Sequence, residues 1–220
     1  MNRTQHRIFK RVFDVVATIM GLVLICPLLA LVAVAIRMSM GRPIFFRQAR
    51  AGLRGKAFRV FKFRTMTDAY DPEGRPLSDK ARITSLGRLL RKTSIDELPQ
   101  LLNVLKGEMS LVGPRPLKIE YLKLYTPQQA RRHEVLPGIT GPAQIKGRNA
   151  LTWDERFDLD VWYVDHQNLL LDLRILLQTL VCLLRRDSVS ADGDLDVPPF
   201  MGSLPTHASG ELRSTISDLP

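Results

Sequence analysis

The longest apolar run in the chain covers residues 15–36, where 22 consecutive positions carry no charge. As one helix this run would be about 33 Å long at a rise of roughly 1.5 Å per residue, enough to cross a hydrocarbon core of about 30 Å. It exceeds the apolar core of a signal peptide, which has about 7–15 residues, and no small-residue cleavage site follows it. We therefore predict a membrane anchor that is retained.

Pro27 and the charges at both ends of this run argue against a simple membrane span. Pro27 lies near the middle, where it removes a backbone N–H and clashes with the carbonyl of Val23, so we expect a kink or a break. Both flanks are basic, and under the positive-inside rule both favour the cytoplasm. A helix that enters one leaflet and returns satisfies both demands. A single-pass helix with a proline kink remains equally open at this point.

A second apolar stretch covers residues 169–184 and contains Asp172, Arg174 and Gln178. It is too short and too polar to span a bilayer, since a spanning helix needs about 20 mostly apolar residues. Its apolar positions recur at roughly helical spacing, which predicts an amphipathic helix. From the residues alone, this helix either lies on the membrane surface or packs on the folded domain.

The middle of the chain alternates between short β-prone runs and helical patterns. Residues 44–48 and 56–65 are rich in Phe and Val and are separated by glycines, which predicts a β-hairpin. Helices are predicted over residues 85–91, 97–106, 118–124, 127–135, 153–167 and 169–185. The expected fold class is α-rich α+β, with a small β-hairpin and several helices, including interfacial amphipathic ones.

These patterns divide the 220-residue chain into four segments. They are a basic flank (1–14), the apolar membrane segment with Pro27 at its middle (15–36), one folded domain (37–186) and a C-terminal tail (187–220). The tail is acidic and rich in Ser, Asp, Gly and Pro, so we expect it to be loosely ordered.

The net charge of the chain indicates an anionic partner. There are 32 Lys and Arg against 22 Asp and Glu, which gives a net charge of +10. The tail carries six acidic residues and one basic residue, so the rest of the chain carries +15. Between Asp14 and Asp68 there are nine basic residues and no acidic one. Such a block is typical of a solvated face or of a surface that binds nucleic acid or anionic lipid, and between the two ligands the adjoining apolar run favours lipid.

The cysteines and histidines argue against a disulfide framework and against a zinc site. The chain has two cysteines, Cys26 and Cys182, and both lie in apolar runs, which is typical of packed thiols in a reducing compartment rather than of a disulfide framework. The four histidines are scattered, so they offer no basis for a zinc site.

The densest group of charged residues lies in residues 88–116, RLLRKTSIDELPQLLNVLKGEMSLVGPRP. Asp96 and Glu97 form a carboxylate pair within it. Ser94 and Glu97 have the spacing of a capping box, which is a purely structural explanation of the acids. Pro99 weakens this explanation, because proline belongs in a first helical turn and leaves the helix start undefined between Ser94 and Leu98.

The surrounding cations support a functional interpretation of the same pair. Adjacent carboxylates on a helix diverge by about 100°, so they suit different tasks. One can act as a nucleophile that forms an aspartyl-phosphate, and the other can hold Mg²⁺ against a diphosphate. Gly113-Pro114-Arg115-Pro116 presents an arginine from a rigid loop, which favours a bidentate phosphate contact, although a surface turn with an exposed arginine is the alternative.

With these motifs together, the chain resembles the bacterial sugar transferases, which are monotopic phosphoglycosyl transferases, from about residue 10 to residue 186. The resemblance rests on the blocks KRVFDVV, PIFFRQAR, FRVFKFRTM, TSLGRLLRKTSIDELPQLLNVLKGEMSLVGPRP, LPGITGPAQIKGRN and FDLDVWYV, with LDLRILLQT after the last. Cys26-Pro27 stands where the family often has Ser-Pro, and Pro142 replaces an expected apolar residue. Neither difference touches the chemistry.

The resemblance implies an enzyme that moves a sugar-1-phosphate from a UDP-sugar to undecaprenyl phosphate, the first membrane step of a bacterial polysaccharide or glycoconjugate pathway. Asp96 would be the nucleophile of a covalent aspartyl intermediate formed with release of UMP, and Glu97 would bind the cofactor Mg²⁺. Asp160 and Asp172 are expected to form structural ion pairs. The phosphate-binding candidates are Lys62, Arg64, Arg91 and Arg115, with Arg148 and Gln144 as weaker ones.

The resemblance also favours the re-entrant helix, which places the catalytic domain (37–186) on the cytoplasmic face of the bacterial inner membrane. The implied partners are a UDP-sugar, undecaprenyl phosphate and membrane lipid, without nucleic acid, while homo-oligomerisation stays open. The alternative is a non-catalytic, membrane-tethered basic adaptor or nucleic-acid-binding protein. It explains the charge and the anchor but not the DE, GPRP and GRN motifs, and no DNA-reading motif is present. The sugar is not specified by these residues.

Overall fold

The computed structural model describes residues 3–147, 151–185 and 198–203. Helix α1 (Arg3–Met40) contains the whole apolar run, and Pro27 lies inside it. No break in the helix is found at this proline, contrary to the expectation of one. A proline removes a single backbone hydrogen bond, and the apolar turns on both sides continue the helix around it. The kink and the re-entrant path stay predictions.

Both ends of α1 contact the folded domain, whereas its middle is exposed. Near the N-terminal end, Arg11 donates hydrogen bonds to two carbonyl oxygens of the domain at 2.6 and 2.9 Å. Near the C-terminal end, Ile36 is fully buried in a cluster with Phe63 and Leu90. Between them, Leu24 is 81% exposed. The apolar run is therefore held at its two flanks and presents its central side chains to the surroundings.

A buried ionic cluster anchors the start of α1. Lys10 donates to Asp172 Oδ2 at 2.6 Å and to the carbonyl oxygen of Val112 at 3.2 Å. The Tyr163 hydroxyl donates to the other oxygen of Asp172 at 2.6 Å. Asp172 is fully buried, so each of its oxygens replaces lost hydration with a protein donor. This confirms the structural ion pair expected for Asp172.

The predicted hairpin is confirmed. Strands β1 (Phe45–Ala51) and β2 (Ala57–Phe63) pair antiparallel and are joined by a 3-10 turn (Leu53–Gly55). Val60 and Phe63 lie on opposite faces of β2, yet both are buried. One face packs on α1 and the other on the segment around residues 104–109. Two covered faces explain why the second strand lacks a clean alternation of apolar and polar positions.

Each predicted helix is found close to its expected position, although several are short or of the 3-10 type, and two short helices at residues 79–82 and 142–146 were not predicted. The α-helices are α2 (Asp79–Arg82), α3 (Ser85–Lys92), α4 (Leu101–Lys106), α5 (Pro127–Ala130), α6 (Pro142–Lys146), α7 (Trp153–His166) and α8 (Leu169–Arg185). The 3-10 helices are Ile95–Gln100, Ile119–Lys123 and Arg131–Glu134. As expected, α4 ends at Gly107, whose φ of 79° suits glycine.

A parallel strand pair was not predicted, because three-residue strands leave too short a pattern to detect. Strand β3 (Ser110–Val112) pairs with β4 (Gly138–Thr140). Gly138 N also donates to the carbonyl oxygen of Pro114 at 2.9 Å. A Cβ on Gly113 would lie 2.4 Å from a backbone carbonyl oxygen of the facing segment. The strand pair thus holds the Gly113–Pro116 loop tightly against its neighbour.

Helix α8 packs on the folded domain, which is one of the two alternatives considered for it, and its other face is exposed and apolar. On one face Leu171 and Ile175 are buried in the domain core. On the other face Leu173, Leu177 and Leu180 are exposed. An exposed row of leucines beside a packed face is what a helix at a membrane surface presents.

Part of the predicted tail packs on the domain, so the expectation of loose order is wrong for residues 198–203. Phe200 is 3% exposed, and its ring centroid lies 4.9 Å from that of Phe157. Trp153 Nε1 donates to the carbonyl oxygen of Pro198 at 3.0 Å. One phenylalanine that fills an aromatic cluster is enough to fix a segment whose average composition is polar. Residues 186–197 and 204–220 lie outside the described residues.

Candidate active site

The carboxylate pair sits on the 3-10 helix Ile95–Gln100, not on a regular α-helix. Ser94 before it has a left-handed φ of 56°, so the chain turns sharply after α3. Pro99 within the helix has no N–H to donate, which favours a short, tight helix. The capping-box explanation is wrong, because Ser94 makes no capping hydrogen bond and the Glu97 carboxylate is bound by cations instead.

Glu97 is clamped between two cations from distant parts of the chain. Lys62 on β2 donates to Oε1 at 2.7 Å. Arg115 in the loop after β3 forms a fork, with Nη2 2.7 Å from Oε1 and Nη1 3.3 Å from Oε2. Burial by itself would raise the pKa of Glu97, but Arg115 and Lys62 outweigh it and hold this pKa well below its usual value. Glu97 is therefore a carboxylate at all physiological pH values.

Asp96 is the less constrained member of the pair. Its side chain is buried, with the residue 7% exposed, and among the described residues no hydrogen bond to its carboxylate is found. Burial and the neighbouring Glu97 charge raise its pKa to about 6, against the opposing effect of Lys62, Arg91 and Arg115. Near neutral pH it is mostly an anion with little solvation, which is the state of a reactive oxygen nucleophile.

The charges around the pair leave an excess of positive charge. Three cations, Lys62, Arg91 and Arg115, act on two carboxylates. Arg91 is oriented by Thr65, whose hydroxyl accepts from Nε at 3.0 Å. An excess of cations beside a buried carboxylate suits a substrate that brings further negative charge, such as a diphosphate. The structure thus brings together three of the six predicted phosphate-binding residues.

Lys62 is positioned by a buried asparagine that the sequence analysis missed. Asn103 is fully buried in α4 and accepts from Phe61 N at 3.0 Å through Oδ1. Its Nδ2 donates to the carbonyl oxygen of Arg59 at 2.8 Å. These two bonds fix the β2 backbone on either side of Val60, immediately before Lys62. A lone amide in the apolar run LLNVL was the available signal.

Arg132, a second residue that the sequence analysis missed, supports the loop that carries Arg115. Its Nη2 donates to the carbonyl oxygen of Arg115 at 2.8 Å and to Asp160 Oδ2 at 2.6 Å. Both partners of the Arg132–Asp160 pair are almost fully buried. This confirms the structural ion pair expected for Asp160, and it places that pair directly behind a candidate phosphate-binding arginine.

Arg64 has a structural role instead of the predicted phosphate contact. Its guanidinium donates to the carbonyl oxygens of Met40, Arg42 and Met66 and forms an ion pair of 2.6 Å with Asp68. All three of its nitrogens are used in these bonds. Arg64 therefore ties the end of α1 to the hairpin, because its side chain is drawn towards backbone carbonyls rather than towards Asp96.

The two weaker candidates give different outcomes. Gln144 in α6 is buried, and among the described residues neither polar atom of its amide has a hydrogen-bond partner. A buried unpaired amide is costly, so Gln144 stays a candidate for a contact made only in another state of the protein. Arg148 lies outside the described residues.

The donor set fits Mg²⁺ bound jointly with a substrate. Within the described residues no group of three or more His, Cys, Asp or Glu could hold a metal ion by itself. Mg²⁺ commonly needs only one or two carboxylates, with waters and phosphate oxygens as the other ligands. Glu97 and Asp96 supply adjacent carboxylates of this kind, with cations nearby that attract the phosphates.

The family model described as bacterial sugar transferase matches residues 5–186 of the chain. The chain belongs to the bacterial sugar transferase family. The match includes α1, the hairpin, the Asp96–Glu97 site and α8.

Similar proteins agree with this membership. The chain is 53% identical over 196 residues to the uncharacterized sugar transferase EpsL of Bacillus subtilis, covering 89% of this chain and 97% of that relative. It is 43% identical over 190 residues to the UDP-glucose:undecaprenyl-phosphate glucose-1-phosphate transferase of Caulobacter vibrioides, covering 81% and 71%. It is 40% identical over 202 residues to the undecaprenyl-phosphate galactose phosphotransferase of Salmonella typhimurium, covering 84% and 42%.

Proposed function

We propose that this sugar transferase moves a sugar-1-phosphate from a UDP-sugar to undecaprenyl phosphate through a covalent intermediate on Asp96. The observation that carries the proposal is the contrast within the carboxylate pair. Glu97 is held by Lys62 and Arg115, whereas Asp96 is buried with its oxygens free of hydrogen bonds among the described residues. The names of similar transferases from Caulobacter vibrioides and Salmonella typhimurium support the reaction class.

The first step uses the open oxygen of Asp96. It forms a bond to the sugar-proximal phosphorus of the UDP-sugar, and the bond from this phosphorus to the UMP oxygen breaks, so UMP leaves with the electron pair. A phosphate oxygen of undecaprenyl phosphate then attacks the same phosphorus. The bond to Asp96 breaks and the carboxylate is regenerated. Neither step needs a proton, because the nucleophile is an anion in each case.

The cations and the metal have complementary tasks in this scheme. Arg115 and Lys62 stabilise negative charge on the phosphoryl oxygens, and Arg91 stabilises the anionic form of Asp96. Glu97 would hold Mg²⁺, which supplies charge neutralisation and orientation of the diphosphate when bound. Since Lys62 and Arg115 contact Glu97 directly, substrate phosphates would share the same cations.

The first experiment measures UMP release by the purified protein in detergent with Mg²⁺ and UDP-sugars, with and without undecaprenyl phosphate. Without the lipid, we expect a burst of no more than one UMP per protein and a phosphosugar adduct on the peptide that contains Asp96. Asp96→Asn should show neither, while the exposed control Asp79→Asn should keep both. Absence of UMP with every common UDP-sugar, or an Asp96→Asn variant as active as the wild type, would refute the proposal.

We further propose that α1 is re-entrant and that the domain lies on the cytoplasmic face of the bacterial inner membrane. The helix is long and apolar enough to cross a membrane by length and composition. Two observations favour a return to the same face: both flanks of α1 contact one domain, and both are basic. The exposed leucines of α8 supply a second apolar surface beside the membrane.

Labelling of cysteines at the two chain ends tests this topology. In a chain with Cys26→Ser and Cys182→Ser, single cysteines are introduced as Asn2→Cys or Ser217→Cys. We expect both to react with a membrane-impermeant maleimide only after the inner membrane is opened. Labelling of the N-terminal cysteine from the periplasmic side of intact cells would show a single-pass helix instead.

The alternative of a non-catalytic basic adaptor loses its main support. Family membership shows a sugar transferase, and the cations Lys62, Arg91 and Arg115 converge on a carboxylate pair rather than forming an open basic surface. The absence of nucleic acid among the partners stays a prediction, which a binding assay with duplex DNA at physiological salt would test.

A further inference from the structure

The tail segment, residues 198–203, is held on the domain by side chains from several elements. Trp153 Nε1 donates to a carbonyl oxygen of the segment at 3.0 Å. The backbone N–H of Phe200 donates to the Tyr121 hydroxyl at 3.2 Å. Ser203 Oγ donates to a carboxylate oxygen at the start of α7 at 2.6 Å. Contacts at the start, middle and end of the segment fix its position on the domain.

The Phe200 ring completes a cluster with two other aromatic rings. Its centroid lies 4.9 Å from that of Phe157, at an interplanar angle of 74°, and 5.8 Å from that of Tyr125, at 25°. Tyr125 and Phe157 also pack edge to face on each other, with centroids 5.3 Å apart. Because Phe200 is 3% exposed, a smaller side chain in its place would leave a void beside both rings.

The same two rings contact the guanidinium of Arg132. Its Cζ lies 5.8 Å from the centroid of Tyr125 and 5.5 Å from that of Phe157. The Tyr125 hydroxyl accepts from Nη1 at 3.4 Å. Nε and Nη2 of Arg132 both donate to one oxygen of Asp160, so this ion pair by itself leaves the guanidinium able to rotate about that oxygen. The two rings restrict this rotation, since the cation is attracted to their faces.

The orientation of Arg132 matters because of its third partner. Nη2 donates to the carbonyl oxygen of Arg115 at 2.8 Å. The side chain of Arg115 in turn donates to both oxygens of Glu97. A shift of the Arg115 backbone therefore moves a cation of the candidate active site, and a misplacement of about 1 Å can lower a rate roughly 100-fold.

We propose that Phe200 is a positioning residue for the transfer reaction, which acts through Arg132 on Arg115. The inference rests on the proposed function, in which Arg115 stabilises the transferred phosphoryl group. The tail segment lies beyond residues 5–186, the range that the family model matches. A part of the chain outside the matched range thus contributes to the geometry of the active site.

The first half-reaction separates positioning from folding. UMP release by the full-length protein is followed without undecaprenyl phosphate, using the UDP-sugar that gives the largest release with the wild type. The burst amplitude counts the folded sites, and the burst rate measures bond formation at Asp96. We expect Phe200→Ala to slow the burst about tenfold at the same amplitude, because Arg115 shifts by less than about 1 Å.

Two further variants serve as controls. Met201→Ala in the same segment should change neither rate nor amplitude, since Met201 is 83% exposed. Phe200→Leu keeps much of the apolar volume and should recover most of the rate. A reduced amplitude at the wild-type rate in Phe200→Ala would mean that Phe200 only stabilises the fold, and this result would overturn the proposal.

A double variant tests the route through Arg132. Arg132→Lys keeps the positive charge beside Asp160 but replaces the planar fork with a single ammonium group. In this background Phe200→Ala should slow the burst by less than about twofold, because the two residues act on the same contact. Effects that multiply would show that Phe200 does not act through Arg132.

Hydrogen–deuterium exchange tests the positioning without turnover. Phe200→Ala should speed exchange in the peptide that contains Arg115 roughly fivefold or more, the effect of about one lost hydrogen bond, while a β2 peptide should exchange as in the wild type. If the wild type releases no UMP from any UDP-sugar, the proposed function fails, and exchange then decides whether Phe200 positions Arg115. Unchanged exchange around Arg115 would overturn the inference in either case.

Discussion

The buried ionic cluster around Asp172 at the start of α1 and the cluster at Asp96–Glu97 differ in how completely their charges are satisfied. In the cluster at the start of α1, the fully buried Asp172 has a donor on each carboxylate oxygen, from Lys10 and Tyr163. At the Asp96–Glu97 cluster, Glu97 is similarly satisfied by Lys62 and Arg115, whereas no donor to the Asp96 carboxylate is found among the described residues.

This difference separates the structural carboxylate Asp172 from the proposed nucleophile Asp96, which burial does not. Both clusters are buried and both contain cations, so neither property identifies the site. Asp172 has a donor on each carboxylate oxygen, whereas burial and the charge of Glu97 raise the pKa of Asp96 to about 6, so the charged form of Asp96 is under-solvated. The following predictions test this comparison, starting with the largest expected effect.

Removing the Asp96 charge should have the largest effect on activity. We expect Asp96→Asn to lower sugar-phosphate transfer by at least about 10³-fold, because the amide cannot form the covalent intermediate. Its thermal unfolding midpoint should stay the same or rise, since an under-solvated charge is lost. Transfer assays and unfolding in detergent measure the two effects. A large loss of stability would make Asp96 structural and remove the contrast with Asp172.

Removing Asp172 from the cluster at the start of α1 should have the opposite outcome, a large loss of stability. Asp172→Ala leaves Lys10 buried and unpaired, and we expect it to lower the free energy of unfolding by about 3–5 kcal/mol. Denaturant unfolding in detergent measures the loss. The double variant Lys10→Met, Asp172→Leu should recover most of it, because the Tyr163 hydroxyl can then donate its one hydrogen to the carbonyl oxygen of Val112, 3.1 Å away. Failure of this rescue would show that the charges themselves are needed.

Replacing Arg115, which holds Glu97 with two hydrogen bonds, should have an intermediate effect on activity. We expect Arg115→Lys to lower the transfer rate about 10–100-fold, since a lysine keeps the charge but loses one of the two hydrogen bonds to a carboxylate or phosphate. Stability should change little, because Lys62 still contacts Glu97. Steady-state kinetics with a UDP-sugar measure the loss, and the exposed Arg59→Lys should behave as the wild type.

His133 is a buried titratable group outside both clusters, and it should give the smallest of the expected effects, a pH-dependent loss of stability. Its pKa of about 4 lies below the usual value of 6.5, so the unfolded chain binds more protons between these values and stability falls as the pH drops through this window. We expect a loss of about 2 kcal/mol between pH 7 and pH 5 from this group. Unfolding at both pH values measures it, and His133→Gln should show a smaller loss than the wild type.

Much of the fold was predictable because it depends on local patterns. The apolar run of α1, the glycines between β1 and β2, and the helical spacing of α7 and α8 are each contained in a short stretch of sequence. The β3–β4 pair and the packing of Phe200 were not, because each depends on a partner more than 20 residues away. Their own segments are too short to show a period.

The sequence by itself determined the family-like motifs, the membrane anchor with its basic flanks, and the adjacency of Asp96 and Glu97. Only the tertiary structure decided what each charged residue does: Lys62 and Arg115 converge on Glu97, Arg64 is used by backbone carbonyls, and Asp96 is left open. The physical reason is that a charge acquires its role from burial and from hydrogen-bond partners. Those partners come from distant segments, so a linear pattern of residue types shows which groups are available but not which of them meet.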